Sequence, residues 1–169
     1  DPDLLWALRG GGGNFGVATS FEFRAVAPGT LVAGELSYPI GAVKQVLRRV
    51  SEFAASAPPA LELMAWIGRP DHEPEGEPRV VLGLCLPGDP DTADETLRPL
   101  RSGLPAIGDD VRVMTYPEVQ AMNGRLPFGL RHYWKGHFLR ALDEPVIGGI
   151  VDALETPPGD VGGILLESI

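Results

Sequence analysis

Arg9-Gly10-Gly11-Gly12-Gly13-Asn14-Phe15-Gly16-Val17 decides the reading of this chain, because four consecutive glycines leave the main chain without a Cβ. Glycine is kept where the backbone must take φ values that other residues resist, or where another group must approach closely. The stretch satisfies G-x-G-x-x-G through Gly11, Gly13 and Gly16. That pattern marks a dinucleotide site only when a strand precedes it and a helix succeeds it. Gly16 is succeeded by Val17-Ala18-Thr19-Ser20-Phe21-Glu22-Phe23-Arg24-Ala25-Val26, in which Val17, Thr19, Phe21 and Phe23 recur with a period of two. The spacing predicts that the glycines open a strand, which removes the helix N-terminus on which a Rossmann pyrophosphate would rest. An ordinary tight turn would explain one or two glycines. Four of them, each adding up to ~1 kcal/mol of unfolded-state entropy relative to Ala, point to a ligand held against bare backbone.

Asp3-Leu4-Leu5-Trp6-Ala7-Leu8 leads into this run and Phe21-Glu22-Phe23-Arg24 continues it. The whole segment resembles the end of the FAD-binding domain of flavoprotein oxidases similar to berberine bridge enzyme, within the PCMH-type, vanillyl-alcohol-oxidase class. The resemblance implies FAD as cofactor, with Gly11, Gly12, Gly13, Asn14, Gly16 and Val17 approaching it through the backbone. It covers residues 1–28 strongly. Residues 29–169 match the family mainly in element order and in Tyr133-Trp134-Lys135-Gly136. Members often attach FAD through an upstream His and a Cys in a short motif, and take a catalytic Tyr from a downstream Tyr-x-Asn. Cys85 matches no such motif and the chain contains no Tyr-x-Asn, so the resemblance leaves the mode of attachment and the catalytic base open. It also implies that this stretch alone lacks most of the FAD contact surface and is inactive by itself.

With 169 residues the chain can bury the core of one compact domain. A net charge of −9 disfavours nucleic acid and anionic membrane as partners, since both need dense Lys/Arg patches. No apolar run approaches the ~20 residues that span a bilayer. There is no initiator Met, basic n-region or signal-like stretch, which predicts that Asp1 is internal to a longer protein. Cys85 is the single cysteine, which excludes an internal disulfide. Within Val80–Leu86 it reads as a small buried hydrophobe, compatible with a cytosolic setting.

Pro28-Gly29 is a turn dipeptide at which alternating strand and helix signals begin, and it is read as the domain boundary. Leu31–Tyr38 reads as a strand. Ile40, Val43, Val46, Val50 and Phe53 then recur at helical spacing until Pro58-Pro59. Leu61–Ile67 and Arg79–Leu86 read as strands joined by an acidic, Pro-rich loop containing His72. Asp89-Pro90 is a helix start whose inner face is Ala93, Leu97 and Leu100. Val111–Thr115 reads as a strand, Tyr116–Asn123 as a short helix before Gly124, and Arg131–Leu139 as an aromatic-rich strand. A third helix starts at Asp143-Glu144-Pro145, buries Ile147, Ile150, Val151 and Leu154, and closes at Pro157-Pro158-Gly159 before a last strand over Gly162–Ile169. The expected class is α+β: an antiparallel or mixed sheet covered by helices, residues 29–169, preceded by the terminal strand segment of an FAD-binding domain, residues 1–28.

On a strand, Arg131, Tyr133, Lys135 and His137 share one side while His132, Trp134 and Phe138 share the other. Tyr133 and Lys135 are the candidate catalytic or substrate-lining residues, suited to orienting a hydroxyl or stabilising negative charge. The alternative is a solvated face with Trp134 and Phe138 in the core. His132 and His137 would face opposite ways, and no H-E-x-x-H or paired Cys occurs, so no metal is expected. No G-x-S-x-G elbow or P-loop lysine supports acyl or phosphoryl transfer. Arg9 is read as a surface ion pair, Asn14 as a turn stabiliser, and Trp6 with Leu5 and Leu8 as a core anchor.

The expected function is part of an FAD-dependent oxidoreductase acting on a small molecule, an alcohol, sugar or secondary metabolite, by hydride transfer to flavin with oxygen as acceptor. The rival is a non-catalytic α+β ligand-binding or dimerisation module, which leaves the quadruple glycine without a cause. A homodimer covering an apolar face is also compatible with the sequence.

Overall fold

The computed structural model describes residues 1–69, 75–122, 129, 131, 133–155 and 162–167. His72, Asn123, Gly124, His132, Pro157, Pro158, Gly159, Ser168 and Ile169, on which parts of the sequence reading fall, lie outside them.

Three amphipathic helices form where apolar residues recur at helical spacing. α2, Val43–Ala54, buries Val43, Val46, Leu47, Val50 and Phe53 after a short 3-10 turn at Ile40–Ala42. α3, Pro90–Arg101, is capped by the Asp89 carboxylate, which accepts from the amides of Asp91 (3.0 Å) and Thr92 (3.1 Å), and buries Ala93, Leu97 and Leu100. In α5, Glu144–Glu155, the Asp143 carboxylate accepts from Val146 N–H at 3.1 Å, and Ile147 and Ile150 are buried. The shorter helices α1, Pro2–Leu8, and α4, Tyr116–Met122, bury no residue.

The strands are β1 (Leu31–Pro39), β2 (Glu62–Gly68), β3 (Arg79–Pro87), β4 (Gly108–Asp109), β5 (Arg112–Met114) and β6 (Gly163–Glu167), and every pairing is antiparallel. Their order is β4-β1-β3-β2-β6, with β5 also on β1. β5 pairs with Leu31–Ala33 and β4 with Leu36 and Ser37, so they are one edge strand broken at Asp110-Val111. Gly34 faces that break with φ 147°, and a Cβ there would lie 2.7 Å from the Asp110 carbonyl oxygen. No residue with a side chain fits. The Asp110 carboxylate accepts from Glu35 N–H and pins the break in place.

One face of the sheet holds the core. Val32, Leu36 and Tyr38 of β1, Leu63, Ala65 and Ile67 of β2, and Val80, Leu82, Leu84 and Leu86 of β3 join the buried residues of α2, α3 and α5. The expected antiparallel, helix-covered sheet is what forms. Ties between the sheet and the helices, and among the helices, are polar and specific. The buried Tyr38 hydroxyl donates to the Leu100 carbonyl at 2.7 Å, Arg49 donates to the carbonyls of Pro99 (2.7 Å) and Ser102 (3.0 Å), and Arg48 pairs with Glu144.

Several expectations are corrected. Residues 17–26 form no strand: the stretch is exposed and unpaired, because strand geometry needs a partner edge and none of the described residues supplies one. Residues 133–139 likewise form no strand, with Tyr133 88% and Phe138 104% exposed, so neither a polar site row nor a core row exists there as a ladder face. Trp6, at 79% exposure, is not a core anchor, and Leu5 and Leu8 are exposed with it. Cys85 is half-buried rather than buried.

Burial, reinforced by the Asp109 carboxylate and opposed by Arg101, pushes the Tyr38 phenol up to about 12. Because the folded value lies above the unfolded one, its contribution is complete below about pH 10 and is lost as pH rises toward about 12. Tyr38→Phe is expected to lower stability by about 1–2 kcal/mol in urea melts at pH 7 and to remove this alkaline decline. Gly34→Ala is expected to cost about 2 kcal/mol or more in the same measurement.

Candidate functional site

The glycine run is organised locally. The Asp1 carboxylate caps α1 by accepting from the amides of Asp3 (3.0 Å) and Leu4 (3.2 Å). At its end Gly11 N–H donates to the Ala7 carbonyl at 3.0 Å, and Gly12–Phe15 close into a 3-10 turn. Asn14 Nδ2 donates to the Gly11 carbonyl at 3.0 Å, the turn-stabilising bond that its side chain suggests.

The glycines divide by cause. Gly10, Gly12 and Gly16 have φ of 114°, 64° and 137°, which explains each of them by conformation. Gly11 lies under the Phe15 ring, where a Cβ would stand 2.3 Å from both that ring and the Ala7 carbonyl. Gly13 has neither cause: its φ is ordinary and nothing lies within 4 Å of a Cβ built there. Beside it Val17 is 90% exposed. Further on, Phe21 and Phe23 stack at 5.9 Å, 71% and 83% exposed. This concentration of bare backbone and uncovered apolar side chains is what an approaching flat ligand or an adjoining unit requires.

Tyr133 and Lys135 lie on an exposed stretch without regular secondary structure, with Trp134 and Phe138. The described residues bring neither of them against Gly11, Gly12, Gly13, Asn14, Gly16 or Val17 through any hydrogen bond or ion pair in the structure. No group of three His, Cys, Asp or Glu among the described residues could hold a metal, and no helix among them is long and apolar enough to cross a membrane.

A second surface escaped the sequence reading. The sheet face opposite the core carries two central rows, Ser37, Val81, Trp66, Leu165 and Glu35, Gly83, Met64, Glu167. A third row holds Ala33, Cys85 and Glu62. Only Ala33 and Val81 are fully buried among these; most of the rest are half-buried. The Met64 side chain lies over Gly83, its Cγ 3.0 Å from a Cβ built there, and the Trp66 ring lies over Gly163. Among the described residues the buried Trp66 Nε1 has no hydrogen-bond partner. Burial, and next the Glu62 carboxylate, push the Cys85 thiol up, which disfavours its thiolate. The period-two alternation of β1, β2 and β3 carried this face, but only the register shows which residues become neighbours.

No family model matches the sequence. An FAD-linked oxidoreductase of Dictyostelium discoideum is 30% identical over 170 residues, covering 99% of this chain and 36% of that protein. The (R)-6-hydroxynicotine oxidase of Paenarthrobacter nicotinovorans is 26% identical over 98% of this chain and 38% of its own length. The crystal structure of 6-hydroxy-D-nicotine oxidase from Arthrobacter nicotinovorans superposes with a TM-score of 0.57 at 26% identity, over 76% of this chain and 28% of that one. The chain thus spans a little over a third of the curated relatives it matches. Those relatives, matched along nearly all of the chain, are FAD-linked oxidoreductases and oxidases.

Proposed function

We propose that this chain is the portion of an FAD-dependent oxidoreductase in which residues 1–28 end the cofactor domain and residues 29–169 form the substrate domain. Gly11, Gly12, Gly13, Asn14, Gly16 and Val17 meet FAD through their backbone, and Tyr133 and Lys135 stand on the substrate side. The substrate is an alcohol, sugar or other secondary metabolite. FAD, when bound, supplies the redox chemistry by taking a hydride, with oxygen as the final acceptor. The chain's own residues bind, orient and exclude water.

Gly13 carries this reading. Within the described residues nothing explains why it lacks a side chain, and open space stands where its Cβ would be. A cradle of this kind fits close approach by a planar cofactor. The exposed Val17, Phe21 and Phe23 fit an adjoining unit, and the FAD-linked relatives supply the cofactor's chemical class. The Asn14 to Gly11 bond holds the turn in the shape that presents Gly12 and Gly13 outward.

The test uses the full-length protein. Gly13→Val is expected to reduce bound FAD at least about tenfold, read as flavin absorbance per protein after gel filtration, while the melting point of the apoprotein is unchanged. Gly41→Val, in similarly open space away from the turn, is expected to keep its flavin. Full flavin occupancy in Gly13→Val contradicts the assignment.

A further inference from the structure

We infer that the free edge of β6 is a strand-docking surface, and that its partner is the strand that follows β6 in the full-length protein, held on its far side by residues 131–139. The inference goes beyond the flavin reading and does not depend on it. It stems from an internal repeat. β1, α2 and β2 form a unit into which β3 inserts, giving the order β1-β3-β2 with both pairings antiparallel. Leu31, Val43 and Glu62 open β1, α2 and β2, and Arg131, Glu144 and Gly163, which open the aromatic stretch, α5 and β6, stand 100, 101 and 101 residues further on. Both helices have 12 residues, and in the sequence Pro58-Pro59 has its counterpart in Pro157-Pro158. The inward stripe repeats too, since Val46, Val50 and Phe53 correspond to Ile147, Val151 and Leu154.

The second unit lacks the strand that stands where β3 does in the first, and its burial shows the gap. Val50 and Phe53 are buried, whereas Val151 and Leu154 are half-buried. Leu63 and Ala65 are buried, whereas Ile164 and Leu166, their counterparts in β6, are half-buried. Tyr38 lies in the core, whereas Phe138 in the matching position is fully exposed. Among the described residues β6 is paired by β2 alone, and its single charge is Glu167 at its end, so nothing guards this apolar edge against a further strand. One inserted strand supplies a ladder to β6 and to residues 133–139 together. A second copy of this chain seated on β6 would leave residues 133–139 without one. Length allows the insertion, because the Dictyostelium relative that matches 99% of this chain does so over 36% of its own length.

The register of the first unit sets that of the second. Ser37 stands opposite Trp66 across Val81 of β3, and the same displacement puts His137 opposite Glu167 across the docked strand. Two strand spacings separate them, about 10 Å. Amide exchange of the unmodified full-length protein, kept monomeric by gel filtration, is expected to find residues 133–139 and β6 as protected as β1. On a Cys85→Ser background, His137→Cys combined with Glu167→Cys is expected to cross-link through a bis-maleimide of about 10 Å reach at least about fivefold faster than His137→Cys combined with Glu35→Cys, which lies three strands beyond β6. Rapid exchange of residues 133–139 overturns the inference. Protection without the cross-linking preference overturns it as well, since another unit then covers the stretch. Should the variants fail to fold, the exchange pattern of the unmodified protein decides. Flavin content enters neither readout, so a colourless protein with both signals contradicts the flavin reading and supports the docked strand.

Discussion

The pairing of β1 with β3 over Leu31–Pro39 and Arg79–Pro87 is the constraint on which the structure rests. It fixes which side chains of three central strands face the helices, and a slip of one residue in β1 would put Leu36 on the face opposite Leu82 and Ala65. Tyr38 reinforces that register from the helix side through its bond to Leu100, and Gly34 with Asp110 reinforces it from the edge. With the register set, the helices α2, α3 and α5 can cover one face only. The other face is left with mixed apolar and acidic side chains that no core requires, which is the condition for a surface to be given to recognition.

The same economy separates the two parts of the chain. Within β1, β2, β3, α2 and α3 most apolar residues are buried, whereas in residues 1–28 the large ones, Leu4, Leu5, Trp6, Leu8, Phe15, Val17, Phe21, Phe23 and Val26, are all exposed, as are Tyr133, Trp134, Phe138 and Leu139 further along. Uncovered apolar surface on this scale is costly in water. Its position beside the glycine turn makes one adjoining unit, a flavin domain, sufficient to account for both the bare backbone and the uncovered side chains.

Much of the fold of residues 29–169 was legible in the sequence because its signals are local and physical. Asp89-Pro90 and Asp143 cap helices as their chemistry dictates, and the spacing of Val43, Val46, Val50 and Phe53 maps onto the buried stripe of α2. Period-two alternation also located β1, β2 and β3. It failed at residues 17–26 and 131–139 for a reason inherent in strands: alternation shows a capacity to pair, whereas a ladder needs a partner elsewhere, and no local pattern names it. The two residues of β4 are too few to leave a pattern. At the candidate site the glycine run was conspicuous, but sorting Gly10, Gly12 and Gly16 from Gly13 needed φ angles and neighbours. The rows around Met64 and Trp66 needed the register.

Amide hydrogen exchange, compared between the full-length protein and residues 1–169 alone, tests the central claim most directly. Residues 17–26 are expected to exchange slowly in the full-length protein and rapidly in the shorter chain, while β1 and β3 stay protected in both. Rapid exchange of residues 17–26 in the flavin-loaded full-length protein would contradict the claim that this stretch is completed by a cofactor domain.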